Sequence, residues 1–399
     1  MYDVVICGGG SAGVAAAIRS GRDGSKVMLI ESGGCLGGIW TQSCVGYLMD
    51  RKEKNGILEE ITWKLGLHEN QKDDVLFDVE KMKYILEDMC IDAGVELLYH
   101  ARVCGATVRN GLLTEVIIAS KNGIQHISSS IFIDCTGDGD LAYFAGCQYQ
   151  EGNQDGFLQP MSFECVITGL NYEEVKSFVF NNPESTTEQG KRNFLAELKE
   201  VGVVPSYVKP TLGYVRKGMF ILAVNHEHNV HGTNASETTQ ATLHARKEVN
   251  DLVEALRKKG GVWKDILLVQ SPACIGVREG RRIKGLYTVS IEDLKEGAHY
   301  FDSVCRVTGK IDIHNAEGYA DGNFQTKPYD IPLRALISAD YPNLMMAGRC
   351  ISGDFYAHAS YRLSGNTVRM GESAGAAAAY TIKRNVLPHM VDAGFFKSI

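Results

Sequence analysis

Three groups of residues in this 399-residue sequence have the types and spacing to do chemistry. Near the amino end, Gly8, Gly10 and Gly13 stand in a Gly-x-Gly-x-x-Gly pattern that encloses Ser11 and Ala12. Glu31 follows about 20 residues later. Gly8 allows a tight turn, Gly10 lets backbone approach a pyrophosphate, and Gly13 lets a helix pack closely on a strand. The amino end of that helix offers free N–H groups to phosphates, and the carboxylate can accept from an adenosine ribose. The chemistry is dinucleotide binding. Toward the other end, His358 and Arg362 lie four apart, just ahead of a helix from Val368 to Tyr380. A guanidinium grips a carboxylate in two places, and an imidazole donates to a substrate oxygen or moves a proton near neutral pH. The third group, His226, His228 and His231, has a metal-like spacing. No carboxylate or cysteine completes an evident ligand set, so no metal is expected there.

The elements that must position these residues follow from apolar patterning. Val4–Cys7 is a buried-strand run entering the glycines, Val14–Ile18 continues as a helix, and Val27–Ile30 is a second strand ending at Glu31. Helical spacing recurs over 55–66 and 79–93, each stopping at a glycine, and Val95–Tyr99 is a further strand. Asn110-Gly111 and Asn122-Gly123 punctuate β-rich runs from 103 to 133, which predicts a three-stranded antiparallel meander. Its last strand runs into Thr136-Gly137-Asp138-Gly139-Asp140, at a carboxyl end where α/β proteins bind ligands. From 160 to 330 the pattern changes to β-type runs at Ser162–Thr168, Met219–Val224 and Ile266–Val269 around a long amphipathic helix over 237–259. Asn234 or Ser236 caps that helix. Leu344–Ala347 then returns to strand, followed by Gly348, Gly353 and Asp354. The predicted class is α/β: residues 1–160 and 330–399 form a parallel sheet with an antiparallel β-meander, and 161–329 form an inserted α+β substrate unit.

Composition narrows the class. Hydrophobic residues make up 44% and charged residues 22%, an ordinary globular balance, and the net charge is −7 with no basic stripe. That argues against a nucleic-acid partner. Eleven scattered cysteines with no Cys-x-x-Cys pair argue against a disulfide scaffold or zinc knuckle. The start carries no basic leader and no run of ~20 apolar residues spans a membrane. The expectation is a cytoplasmic protein with no membrane partner, a small-molecule substrate, and homo-oligomer formation left open.

Beyond Glu31, the stretch Ser32-Gly33-Gly34-Cys35-Leu36-Gly37-Gly38 resembles the loop that runs from ribose to flavin in glutathione-reductase-type FAD proteins. The Thr136-Gly137 segment resembles their second fingerprint, and Gly348 with Asp354 resembles their last. The stretch His358–Asn366 is similar to a His-Gly-Ala-Asn-Arg-Leu-Gly-Gly-Asn segment of the fumarate reductase, succinate dehydrogenase and L-aspartate oxidase flavoproteins. It matches at His358, Arg362, Gly365 and Asn366 and departs at Ala359, Ser360 and Tyr361. The resemblance covers essentially the whole chain. It implies a Rossmann-type FAD-binding domain in which Val103 lies beside the adenine. The cofactor set it implies is Gly8, Gly10, Ser11, Ala12, Gly13, Glu31, Ser32, Gly38, Val103, Thr136, Gly137, Asp140, Gly348, Asp354, Gly365, Asn366 and Thr367. It further implies hydride transfer between flavin N5 and a small polar substrate bearing a carboxylate or hydroxyl, with His358 and Arg362 catalytic. Electrons then leave to an acceptor that the chain does not encode. Two other readings stand beside it: an FAD-dependent RNA-modifying protein, and FAD as a structural or sensory element of a binding protein.

Overall fold

Short strands that are apolar on both faces must be covered on both sides, and that is how the amino-terminal half is arranged. The computed structural model describes residues 1–68, 72–315, 318–320 and 326–398. Strand β1 (Tyr2–Cys7) leads into helix α1 (Ser11–Arg22), and β2 (Val27–Ile30) then pairs parallel to β1 with Val4 opposite Val27. Strand β3 (Glu96–Leu98) extends the sheet beyond β2. The meander consists of β4 (Arg102–Arg109), β5 (Leu112–Ser120) and β6 (Gly123–Asp134). Asn110 and Gly111 both have positive φ, 52° and 75°, as a two-residue type I′ hairpin turn requires. Strand β6 does two jobs. Its first half pairs antiparallel with β5, and its second half pairs parallel with β1, with Val4 opposite Ile131.

The middle of the chain builds a second, antiparallel sheet from β7 (Met161–Thr168), β8 (Thr211–Arg216), β9 (Met219–Glu227) and β10 (Leu267–Gln270), in the order β8-β9-β7-β10. Helix α2 (Ala235–Lys259) starts at Asn234, whose side chain accepts from the amides of Ser236 and Glu237. Alternate residues of β7 (Phe163, Cys165 and Ile167) join Ala245, Val249, Leu252 and Leu256 of α2 in one buried apolar cluster. Val166 and its cross-strand partner Ile221 face the other way and belong to the larger cluster of the first sheet. Residues between Ile283 and Ile313 also pack into that larger cluster, although the sequence pattern groups them with the insert.

The chain then returns. Strand β11 (Leu344–Met346) pairs with the end of β6, the short helix α3 (Phe355–Tyr361) follows, and α4 (Ser364–Arg384) lies along α1. Small residues allow that approach: a Cβ on Gly371 would collide with the Ala12 carbonyl, and one on Gly375 with the Ala16 carbonyl. Among the described residues no helix is long and apolar enough to cross a membrane.

Candidate functional site

The glycines of the first turn each do a different physical job. Gly8 has φ +98°, and a side chain there would collide with Cys135 of the neighbouring strand end. Gly13 has no room for a Cβ against the Gly8 carbonyl, so α1 sits directly on the turn. A Cβ on Gly10 would meet nothing within 4 Å. The backbone there faces open space at a helix amino end, where a phosphate finds unpaired N–H donors and the positive end of the dipole.

That space opens into a cavity of about 690 Å³. Its wall includes Gly8, Gly10, Ser11, Ala12, Glu31, Ser32, Gly38, Val103, Thr136, Gly137, Asp140, Gly348, Thr367 and Arg362. Glu31 is buried, and its Oε2 accepts from the Gly9 amide at 2.7 Å while Oε1 accepts from the Gly33 amide at 2.6 Å. These bonds fix the carboxylate at the end of β2. Asp134, at the end of β6, accepts from the Thr136 amide and hydroxyl and from the Ala142 amide, which shapes the Thr136–Asp140 turn. Burial raises its carboxyl to about 6, against those donors. The hydroxyls of Ser11 and Thr367 are 2.7 Å apart, so the amino ends of α1 and α4 meet at the cavity. A cradle with bare backbone at its centre, two helix amino ends and a carboxylate at the far strand end fits an elongated dinucleotide diphosphate such as FAD.

Several expected residues stand elsewhere. Gly13 packs under the turn as described, behind the wall. Asp354 does not line the cavity: it caps α3, accepting from Ala357 N at 2.8 Å and from Ile291 N at 2.6 Å. An aspartate ahead of a helix start is a natural N-cap, and the local bonds take it first. Gly365 is held by the backbone of 49–50, its amide donating to Met49 O at 2.9 Å, and Asn366 is fully buried behind it. His358 lies within α3, is fully buried, and neither ring nitrogen has a hydrogen-bond partner among the described residues. Burial, aided by Arg282, Arg362 and Arg349, holds it well below the usual histidine range, so it is neutral.

Arg362 does reach the wall. Its Nη2 donates to Asp312 Oδ2 at 3.0 Å and to the Asp312 carbonyl at 2.6 Å. On the other side of Asp312, Oδ1 is 3.0 Å from His314 Nε2. Burial alone would raise the Asp312 carboxyl, but His314 and Arg362 overcome it and hold it well below the carboxylate range. Arg349 lines the cavity beside Gly137 and donates to Asp138 Oδ1 at 2.7 Å. Sequence reading missed it, and its place directly after Gly348 was the available signal. Arg281 lines the cavity and bonds Asp140, and Arg282 is buried on Glu279 and the carbonyls of Gly152 and Gly353.

Of the three histidines of the motif, His226 and His228 stay together with ring centroids 5.9 Å apart, and His231 turns to another partner. His226 stacks on Tyr207 with ring centroids 4.0 Å apart, while His231 pairs with Glu237 at 2.9 Å. Among the described residues, ligand-type atoms converge instead at Glu227, His244 and Glu248, within 4.8 Å of one another. Asn225 Nδ2 already bridges both carboxylates at 2.7 and 2.6 Å. That grouping depends on α2 crossing β9 and has no trace in local spacing.

No curated protein sequence matches the chain. Solved structures share its fold at low identity. A p-nitrophenol 4-monooxygenase from Pseudomonas putida is 10% identical over 100% of this chain and 84% of its own, with a TM-score of 0.53. An aromatic hydroxylase from angucycline biosynthesis is 12% identical over 99% and 65%, with a TM-score of 0.52. A flavin-dependent brominase variant is 12% identical over 100% and 83%, with a TM-score of 0.50. A family model described as FAD dependent oxidoreductase matches residues 3–399. The glycine cradle, the paired helix ends and this match over nearly the whole chain agree: the protein belongs to the FAD dependent oxidoreductase family, and FAD is its cofactor.

Proposed function

We propose that the enzyme transfers a hydride between flavin N5 and a small polar substrate that carries a carboxylate or hydroxyl. On this reading the chain stands with the glutathione-reductase-type flavoproteins, in the branch that includes the fumarate reductase group. The observation that carries it is a single cavity extending from the bare backbone at Gly10 to the guanidinium of Arg362. Gly8, Gly10, Ser11, Ala12, Gly38, Gly348 and Thr367 hold the diphosphate and ribityl end, while Glu31, Ser32 and Val103 hold the adenosine. Thr136, Gly137 and Asp140 flank the diphosphate. Gly13 serves by letting α1 sit on the first turn and Gly365 by letting α4 approach the backbone of 49–50, and Asn366 supports the first turn of α4. FAD supplies the hydride chemistry, and the protein supplies placement and electrostatics.

Arg362 holds the oxygen-rich end of the substrate. Asp312 fixes one edge of its guanidinium, and a guanidinium so oriented presents its remaining donors in a planar fork suited to a carboxylate. His358, neutral and one helical turn earlier, places Arg362 rather than touching substrate. Asp354 serves the site by starting α3. The test is an anaerobic screen of small hydroxy and carboxylate compounds, followed by bleaching of the visible flavin band. Arg362→Ala should raise the half-saturating concentration of the active compound at least tenfold with FAD still bound. Unchanged half-saturation would remove Arg362 from the site.

A further inference from the structure

Helix α2 presents two polar flanks with different surroundings. Thr238, Thr239, Thr242, Leu243 and Arg246 recur at helical spacing and line the cofactor cavity. His244 and Glu248, four apart, lie on another flank and meet the end of β9. Asn225 and Glu227 stand two apart on that strand, so they share one of its faces. Strand and helix thus bring together an imidazole, two carboxylates and a carboxamide from residues as much as 23 positions apart.

The geometry of the four is close. His244 Nδ1 lies 2.8 Å from Glu227 Oε1. Asn225 Nδ2 donates to that same oxygen at 2.7 Å and to Glu248 Oε2 at 2.6 Å. Ser206 donates to Glu248 from its amide at 2.6 Å and its hydroxyl at 2.7 Å, which orients that carboxylate. Neither carboxylate has a lysine or arginine partner among the described residues, and His244 is the basic side chain paired with Glu227. The other end of the carboxamide is unsatisfied. Asn225 is 2% exposed, and its Oδ1 has no hydrogen-bond partner among the described residues. A half-turn about the last side-chain bond exchanges the two ends of a carboxamide. It would seat the unpartnered oxygen between the two carboxylates, where three negative poles repel unless a cation lies among them.

We propose that Asn225, Glu227, His244 and Glu248 form a binding site for a divalent cation of the manganese type, which clamps α2 onto β9. The ligands are His244 Nδ1 and one oxygen each from Glu227, Glu248 and Asn225. The cation takes over the bridge that the Asn225 N–H₂ now makes, and Oδ1 gains the partner it lacks. Two ligand atoms 2.8 Å apart, at bonds of about 2.1 Å, subtend roughly a right angle at the ion. That angle suits an octahedral ion better than a tetrahedral zinc, and three oxygens suit manganese or magnesium. The imidazole favours manganese of the two. The His244 side chain is 65% exposed, which gives the ion a path in and leaves its remaining positions to water. Ser206 supports the site from behind by holding Glu248. Because α2 also carries one wall of the FAD cavity, the clamp steadies that wall from the helix's other flank.

The test is calorimetric titration of chelator-treated, FAD-loaded protein with Mn²⁺. One equivalent should bind, more tightly than Mg²⁺, and should raise the melting temperature as its concentration rises. His244→Ala removes an exposed ligand, so it should weaken Mn²⁺ binding about tenfold or more while the metal-free protein melts close to wild type. His231→Ala, whose ring pairs with Glu237 instead, should leave binding unchanged. Asn225→Asp replaces the bridging N–H₂ with a third carboxylate. That variant should melt lower than wild type without metal, bind Mn²⁺ more tightly, and recover stability when it does. A hydrogen-bond network with no cation role accounts for the loss and not for the recovery. Absence of saturable Mn²⁺ binding, or equal affinity in wild type and His244→Ala, would overturn the site. So would an Asn225→Asp protein that folds but gains nothing from Mn²⁺, and if that variant does not fold the His244→Ala titration decides.

Discussion

At the scale of single residues, the contrast between Gly10 and Gly13 separates binding from folding. Gly13→Ala places a methyl group against the Gly8 carbonyl and should lower both stability and FAD retention, read by thermal unfolding of the apoprotein and by bound flavin. Gly10→Val puts its branches into open space at the diphosphate position. The apoprotein should melt close to wild type, while FAD affinity falls about 100-fold or more, measured by fluorescence titration. Glu164 gives a third prediction, with a definite sign. Its carboxyl is raised from 4.5 to about 7 in the folded protein, so the native state holds the proton more tightly than the unfolded chain. Stability should fall as pH rises from about 4.5 to 7 and level off above, a loss on the order of 2–3 kcal/mol. Denaturant melts of Glu164→Gln should lack that slope. Gly10 is not special in composition; it is legible because its neighbours form a pattern.

At the scale of elements, most of the secondary structure was readable, because the patterns that mark strands and helices are local. The helix expected over 237–259 spans Ala235–Lys259, and its cap was narrowed to Asn234 or Ser236. Asn234 is the cap because its side chain accepts from two amides of the first turn. Asn234→Ala should cost about 1 kcal/mol in denaturant unfolding, with FAD affinity nearly unchanged. Helix α3 was not foreseen as a helix. It is seven residues long, too short for a periodic signal to emerge, and tertiary contacts at both ends sustain it. That shift moves His358 off the cavity wall and leaves Arg362 on it. The α1–α4 contact belongs to this scale as well. Gly371→Leu drives a branched side chain into the Ala12 carbonyl, so it should displace the amino end of α4, weaken FAD binding and lower the melting temperature together.

At the scale of the whole molecule, one cavity joins contributions from residues near 10, 40, 103, 136, 240, 275 and 365. Ligand that binds only the folded chain stabilises it by mass action, about 2.7 kcal/mol at a hundredfold excess over the dissociation constant. Adding FAD to apoprotein should therefore raise the melting temperature in a concentration-dependent way. In Gly10→Val that response should move to higher FAD concentrations. The return of the chain through β11 and α4 was legible as another strand with a following glycine and an alanine-rich helix. The packing of residues 283–313 with the first core was not, because short β-type runs carry no mark of which sheet they will cover.

From its amino acids in order, the chain declares a dinucleotide turn, a parallel sheet with a meander, an interrupting β-rich segment and a returning helix, since each is encoded in residues a few positions apart. Only the tertiary structure decides which side chains share the cavity. Convergence there depends on sheet register, on the face each strand turns inward and on how closely two helices approach. It takes Arg362 and Arg349, spends Asp354 on a helix start and seals His358 away.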